Sequence, residues 1–113
     1  FLKNKIASSS MTVPIPDGST VDLTIDIKKE TTIEEINNLL KNYSENDLKN
    51  IIGITYDPIV SSDVVRSTFS GLIDGLATMG INNKKIKLII WFDNGWGYAA
   101  RIIDTIKRLG QEL

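Results

Sequence analysis

Neither cysteine nor histidine occurs in this chain. Without a thiol there is no disulfide framework, no thiolate metal site and no cysteine nucleophile. Without an imidazole the commonest general base near neutral pH is missing. By itself, then, the chain carries no thiol-, imidazole- or zinc-thiolate-dependent catalysis. An excess of either charge is also lacking. Thirteen basic residues stand against fourteen acidic ones, a net charge of -1, so electrostatics gives no reason to expect nucleic acid or an anionic membrane as partner. Long apolar runs are absent too. The stretch from Ile86 to Phe92, broken by Lys87, falls far short of the roughly 20 residues that a bilayer span needs. The eight glycines form neither G-x-G-x-x-G after a strand nor G-x-x-x-x-G-K-[ST], which excludes the familiar phosphate-cradling loops. An initiator methionine is missing as well. A chain starting at Phe1 is therefore expected to be a trimmed, processed or truncated polypeptide.

What remains is an ordinary globular composition, 42% hydrophobic and 24% charged over 113 residues, enough for one domain with its own core. Ile6 to Ile15 alternates weakly and reads as a strand ending at Pro14 and Pro16. After the Asp17-Gly18 turn, Val21, Leu23, Ile25 and Ile27 alternate with Asp22, Thr24, Asp26 and Lys28, the period of a half-buried strand. Thr32 and Glu35 form a capping box before a helix from about Thr32 to Tyr43, whose apolar stripe is Ile33, Ile36, Leu39, Leu40 and Tyr43. Strands are expected over Ile51 to Tyr56, Phe69 to Ile81 and Lys85 to Asp93. The second of these has room for a bulge and runs into an Asn82-Asn83 turn. A last helix, capped by Asp93 or Asn94, carries Ala99, Ile102, Ile103, Ile106 and Leu109 on one stripe, with Gly110 as its stop. The expected fold is α+β: a largely antiparallel or mixed sheet with two helices on one face.

Most polar clusters have structural explanations. Asp22 and Asp26 share the wet face of a strand, so a solvated face outweighs acid–base work. Lys84, Lys85 and Lys87 flank a hairpin and keep its edge soluble. Ser61-Ser62-Asp63 has no base to complete a triad. No metal-ligating set and no catalytic residue is identified. The junction Trp91-Phe92-Asp93-Asn94-Gly95-Trp96-Gly97-Tyr98 is different, because four aromatics crowd a point where an amide side chain stands at a helix start. A cap, a tight turn and core aromatics would account for it structurally. Chemically, a fixed primary amide there is suited to pairing with a planar carboxamide by donor and acceptor together.

That junction resembles the W-Y-D-N-E-W-G-Y-S signature of the glyceraldehyde-3-phosphate dehydrogenase family, whose sibling is erythrose-4-phosphate dehydrogenase. Three further stretches are similar in the same order: Val13 to Thr24 to V-P-T-P-x-x-S-V-V-D-L-T, Thr32 to Asn37 to V-T-V-E-E-V-N, and Gly53 to Asp63 to G-Y-T-E-D-P-I-V-S-S-D. The resemblance implies that residues 1–113 are a single partial domain, the C-terminal part of the catalytic domain. The NAD-binding Rossmann domain, the cysteine nucleophile and the histidine base would lie upstream. It implies a cytoplasmic glycolytic oxidoreductase using NAD or NADP, inactive as this chain alone. Its partners would be the rest of the dehydrogenase chain or other subunits in a homo-oligomer, with no nucleic acid and no membrane. Asn94 matches the family asparagine that hydrogen-bonds the nicotinamide carboxamide, and Tyr98 the aromatic beside that ring. Two positions depart from the pattern. Gly95 replaces the family glutamate, and Thr12 stands where an arginine binds substrate phosphate. Threonine gives no bidentate cationic grip. The alternative reading is a non-catalytic binding or oligomerisation module derived from the same fold.

Overall fold

The computed structural model describes residues 2–111. Strand β1 spans Ser19–Asp26, helix α1 Ile33–Glu45, β2 Ile52–Thr55, β3 Gly71–Asp74, β4 Met79–Ile81, β5 Lys85–Phe92 and α2 Asn94–Gln111, with a 3-10 turn at Ser61–Val64. The five strands form one mixed sheet in the order β1-β5-β3-β2, and β4 lies alongside β5. Both β1 and β3 run antiparallel to β5, whereas β2 runs parallel to β3. The expected α+β architecture, a mixed sheet with two helices, is therefore found.

The period-two pattern does form strand β1, but the half burial it predicts is incomplete, since Val21 and Leu23 are exposed and only Ile25 is half-buried. Val21, Leu23 and Ile25 stand opposite Ile90, Leu88 and Ile86 on the apolar face. The other face carries a charge ladder, with Lys87 Nζ 2.8 Å from Asp22 and Lys85 Nζ 3.1 Å from Asp26. These exposed pairs are each worth up to about 1 kcal/mol and need no catalytic explanation. Helix α1 lies over the apolar face: a Cβ built on Gly80 would sit 3.6 Å from Ile33 Cγ1 and 3.8 Å from Ile86 Cδ1. Val64, Ile73, Ile86 and Leu88 form the buried hydrophobic core, with Val64 and Ile86 fully enclosed.

Helix α1 starts as its sequence requires. Thr32 Oγ1 accepts from the Glu35 N–H, and the Glu35 carboxylate accepts from the Thr32 N–H. Its rotation differs from the one the apolar stripe suggests. Ile36, Asn37, Leu40 and Ser44 face inward, while Leu39 is 51% exposed and Ile33 and Tyr43 are also exposed. Asn37 lies on the inward side, where its Nδ2 donates to the Gly75 carbonyl at 3.0 Å just beyond the end of β3. Truncating Leu39 thus removes less buried surface than a core position would.

Three further expectations are corrected. Residues 2–18 form no strand, because alternation becomes a strand only where a neighbour supplies ladder hydrogen bonds. The stretch from Phe69 to Ile81 is two strands, β3 and β4. The Asp74 carboxylate accepts from the N–H groups of Leu76 and Ala77, both at 3.0 Å, and turns the chain between them. Gly110 does not stop α2, which continues through Gln111. A glycine lowers helix stability by about 1 kcal/mol without forbidding the conformation.

Candidate functional site

The loops after residue 16, around Ser61 and Arg66, and the β5–α2 junction meet at one end of the sheet. Gly18 lies in the left-handed region at φ 91°, and a Cβ there would come 2.6 Å from the Ser61 carbonyl oxygen. No larger residue fits that approach, so the Asp17-Gly18 turn rests directly on the 3-10 turn. That turn is closed by Asp63, whose Oδ2 accepts from the Val60 N–H at 2.7 Å. Asp63 is thereby a local cap, which agrees with the structural reading of Ser61-Ser62-Asp63.

Asp93 is the organising residue of the junction, and it is 2% exposed. Its Oδ1 accepts from the Trp96 N–H at 2.9 Å, which caps α2. Its Oδ2 accepts from the Arg66 N–H at 2.8 Å, which ties the helix start to the segment before β3. Arg66 adopts a left-handed backbone at φ 66° to present that N–H. The backbone N–H of Trp96, then that of Arg66, with smaller help from the Gly95 N–H, outweigh the opposing effect of burial and hold the Asp93 carboxyl below the usual carboxylate range. No sequence signal marks Arg66 as the partner, since a left-handed arginine leaves no local pattern.

Because Asp93 takes the cap, the Asn94 side chain is left over. Asn94 is the first residue of α2 and is exposed, and its amide has no hydrogen-bond partner among the described residues. Tyr98, one turn later on the same side of the helix, is 71% exposed. Trp96 is exposed as well, whereas Trp91 and Phe92 are half-buried in β5. The four aromatics are thus not one core cluster: two stay in the sheet and two project from the helix. An unpaired amide beside an exposed aromatic ring has the donor, acceptor and flat apolar wall that a carboxamide-bearing ring requires.

Other sites are less equipped. Thr12 is exposed and belongs to no helix or strand. No group of three or more acidic residues capable of holding a metal occurs among the described residues. A cavity of about 560 Å³ between α1 and β2 is floored by Ile52, Ile54, Tyr56 and Phe69, and one of about 380 Å³ lies at the start of α1. Neither borders Asn94 or Tyr98. No helix among the described residues is long and apolar enough to cross a membrane.

Residues 1–94 match the family model described as glyceraldehyde 3-phosphate dehydrogenase, C-terminal domain. The chain is 47% identical over 110 residues to glyceraldehyde-3-phosphate dehydrogenase of Borreliella burgdorferi, covering 96% of this chain and 33% of the relative. It is 35% identical over 112 residues to glyceraldehyde-3-phosphate dehydrogenase 2 of Bacillus subtilis, covering 99% and 33%. It is 47% identical over 92 residues to the Thermotoga maritima enzyme of the same name, covering 81% and 28%. The chain therefore spans about a third of the length of the curated relatives it matches.

Proposed function

From the premise that the chain belongs to the glyceraldehyde 3-phosphate dehydrogenase family through its C-terminal domain, we propose that it serves as the C-terminal part of the catalytic domain of an NAD-dependent, phosphorylating aldehyde dehydrogenase in the cytoplasm. Residues 1–113 supply one partial domain. The nucleotide-binding domain, the thiol nucleophile and the imidazole base come from the rest of a dehydrogenase chain, and other subunits complete a homo-oligomer. The cofactor, NAD or NADP, supplies hydride acceptance when bound. The role of this chain is orientation. Asn94 donates and accepts through its amide to the nicotinamide carboxamide, and the Tyr98 ring borders the same face.

The single observation that carries the reading is the Asp93 cap. By satisfying the helix start with its own carboxylate, Asp93 leaves the Asn94 amide unpaired and exposed at the tip of α2. A second support is the direction of α2. At about 100° per residue, Gly97, Ala100 and Arg101 fall on the side that docks on this fold. Ala99, Ile102, Ile103, Ile106 and Leu109 fall on the opposite side and are all exposed. An apolar stripe turned away from its own sheet requires another partner, and the remaining two-thirds of a dehydrogenase supplies one.

Thr12 brings no cation for a substrate phosphate, so the phosphate grip of this site is weak and rests on other residues. That feature and Gly95 favour the second reading, a non-catalytic oligomerisation module of the same fold.

The test joins this chain to the upstream two-thirds of the Borreliella burgdorferi relative and measures NAD binding by calorimetry. The joined protein binds NAD, and Asn94→Ala weakens binding by roughly tenfold, the cost of one or two neutral hydrogen bonds. The isolated chain binds none detectably, because adenine and pyrophosphate contacts belong to the missing domain. Unchanged affinity in Asn94→Ala, or tight binding by the isolated chain, would defeat the assignment.

A further inference from the structure

Helix α2 is fixed to the rest of the fold in an unusual way. Its apolar stripe faces solvent, so hydrophobic burial against the sheet does not hold it. Three contacts on its opposite side do. At its start, Asp93 joins the Arg66 N–H to the first turn. At Gly97 the helix backbone comes so near the Phe69 carbonyl that a Cβ would lie 2.9 Å from its oxygen. At Arg101 the guanidinium spends all three nitrogens. Nη1 donates to Ser70 Oγ at 3.0 Å, Nη2 to the Asn50 carbonyl at 3.2 Å, and Nε to Asp104 Oδ2 at 3.0 Å.

A contact at one end of a rod fixes its position but leaves its direction free. Direction needs a second hold further along. Arg101 lies eight residues beyond Asp93, about 12 Å along the axis at 1.5 Å per residue. It reaches the turn before β2 and the residue before β3 at once. Asp104, 2.7 Å from Nη2, holds the guanidinium plane in place from one turn further on. The Asn50 backbone is left-handed at φ 64°, so its carbonyl belongs to a tight turn whose orientation the sheet determines. Asp104 is 53% exposed and Arg101 26%, so the ion pair by itself is a weak surface contact; the hold comes from one planar guanidinium meeting three separate partners at once.

We propose that Arg101 is a positioning residue: it sets the direction of α2 and thereby where Asn94 and Tyr98 point. The consequence for cofactor orientation rests on the function proposed above, whereas the consequence for the helix axis does not. Lysine is a poor substitute, since an ammonium group has no planar fork with which to reach Ser70, Asn50 and Asp104 together.

The experiment uses the 113-residue chain in solution, diluted until light scattering gives the monomer mass, with residual dipolar couplings of backbone amides in 94–101 and in β1 and β5, together with hydrogen exchange. In Arg101→Ala the sheet couplings keep their parent values, and those of α2 cease to fit the parent orientation. Exchange protection of α2 amides falls by about tenfold or more, as expected for losing a charged hydrogen-bond set, while β5 amides keep theirs. Arg101→Lys restores part of the orientation, and Ser70→Ala produces a smaller shift in the same direction. If α2 keeps its direction in both Arg101→Ala and Ser70→Ala, the proposal is wrong. It is equally wrong if sheet and helix lose protection together in Arg101→Lys, because Arg101 would then support the fold as a whole. Failure of the nicotinamide reading would leave all these couplings as expected, so the two outcomes are distinguishable.

Discussion

Two glycines in one helical turn have opposite reasons for being there. Gly97 is required by proximity, as the Phe69 carbonyl leaves no room for a Cβ. Gly95 meets nothing closer than Asp93 Oδ1 at 3.5 Å and has no left-handed φ. Gly95→Ala is therefore expected to stabilise the chain by about 0.5–1 kcal/mol, the helix-propensity difference. Gly97→Ala is expected to destabilise it by about 1–3 kcal/mol through overpacking. Urea unfolding midpoints measure both, and a Gly97→Ala midpoint at or above the parent value would contradict the close approach. The family glutamate at position 95 would meet no steric barrier here. The departure lies in this sequence and is not imposed by its backbone.

At the scale of elements, both helices begin with a carboxylate that accepts backbone N–H groups. Glu35 is held below its ordinary pKa by the Thr32 N–H first and the Thr31 hydroxyl second. Asp93 is held low by Trp96 and then Arg66. A depressed folded-state pKa stabilises the fold above the unfolded value, about 4 for these groups. That stabilisation is lost as pH falls through the folded value. Thermal unfolding followed by circular dichroism should show midpoints that fall as pH drops from about 5 toward 2. Asp93→Asn and Glu35→Gln each remove part of that slope and approach the parent midpoint at the acid end. Asparagine still caps a helix, so Asp93→Asn isolates the loss of charge. A variant whose acid limb superimposes on the parent's would exclude that carboxylate as a contributor.

For the whole molecule, the notable property is how much apolar surface the fold leaves in water. Val21 and Leu23 on β1, Leu39 and Tyr43 on α1, and Ile102, Ile103, Ile106 and Leu109 on α2 are all exposed. Single exposed apolar residues are ordinary, but contiguous stripes mark interfaces. The chain in isolation should therefore self-associate. Static light scattering at increasing concentration should give masses above the monomer, with little weakening by salt because the surfaces are apolar. A strictly monomeric sample at high concentration would show that these stripes are tolerated in water. The same surfaces are those that the rest of a dehydrogenase chain and its sister subunits would cover under the proposed function.

Short-range physics determined a large part of this protein from its sequence. Period-two alternation in β1, the Thr32–Glu35 capping box and the apolar run of β5 each involve neighbours a few residues apart, and each element formed where its pattern lies. The Asn94-to-Tyr98 junction was legible for the same reason, as a local sequence of unusual composition. Tertiary structure alone decided what depends on distant partners. Asn37 meets Gly75 38 residues away, on a side of α1 that the apolar stripe does not include. Arg66 meets Asp93 across 27 residues, which makes Asp93 the cap and frees Asn94. Arg101 meets Asn50 across 51 residues, on the side of α2 opposite its apolar stripe. A helical stripe tells which residues seek cover; only the folded chain tells which cover is within reach.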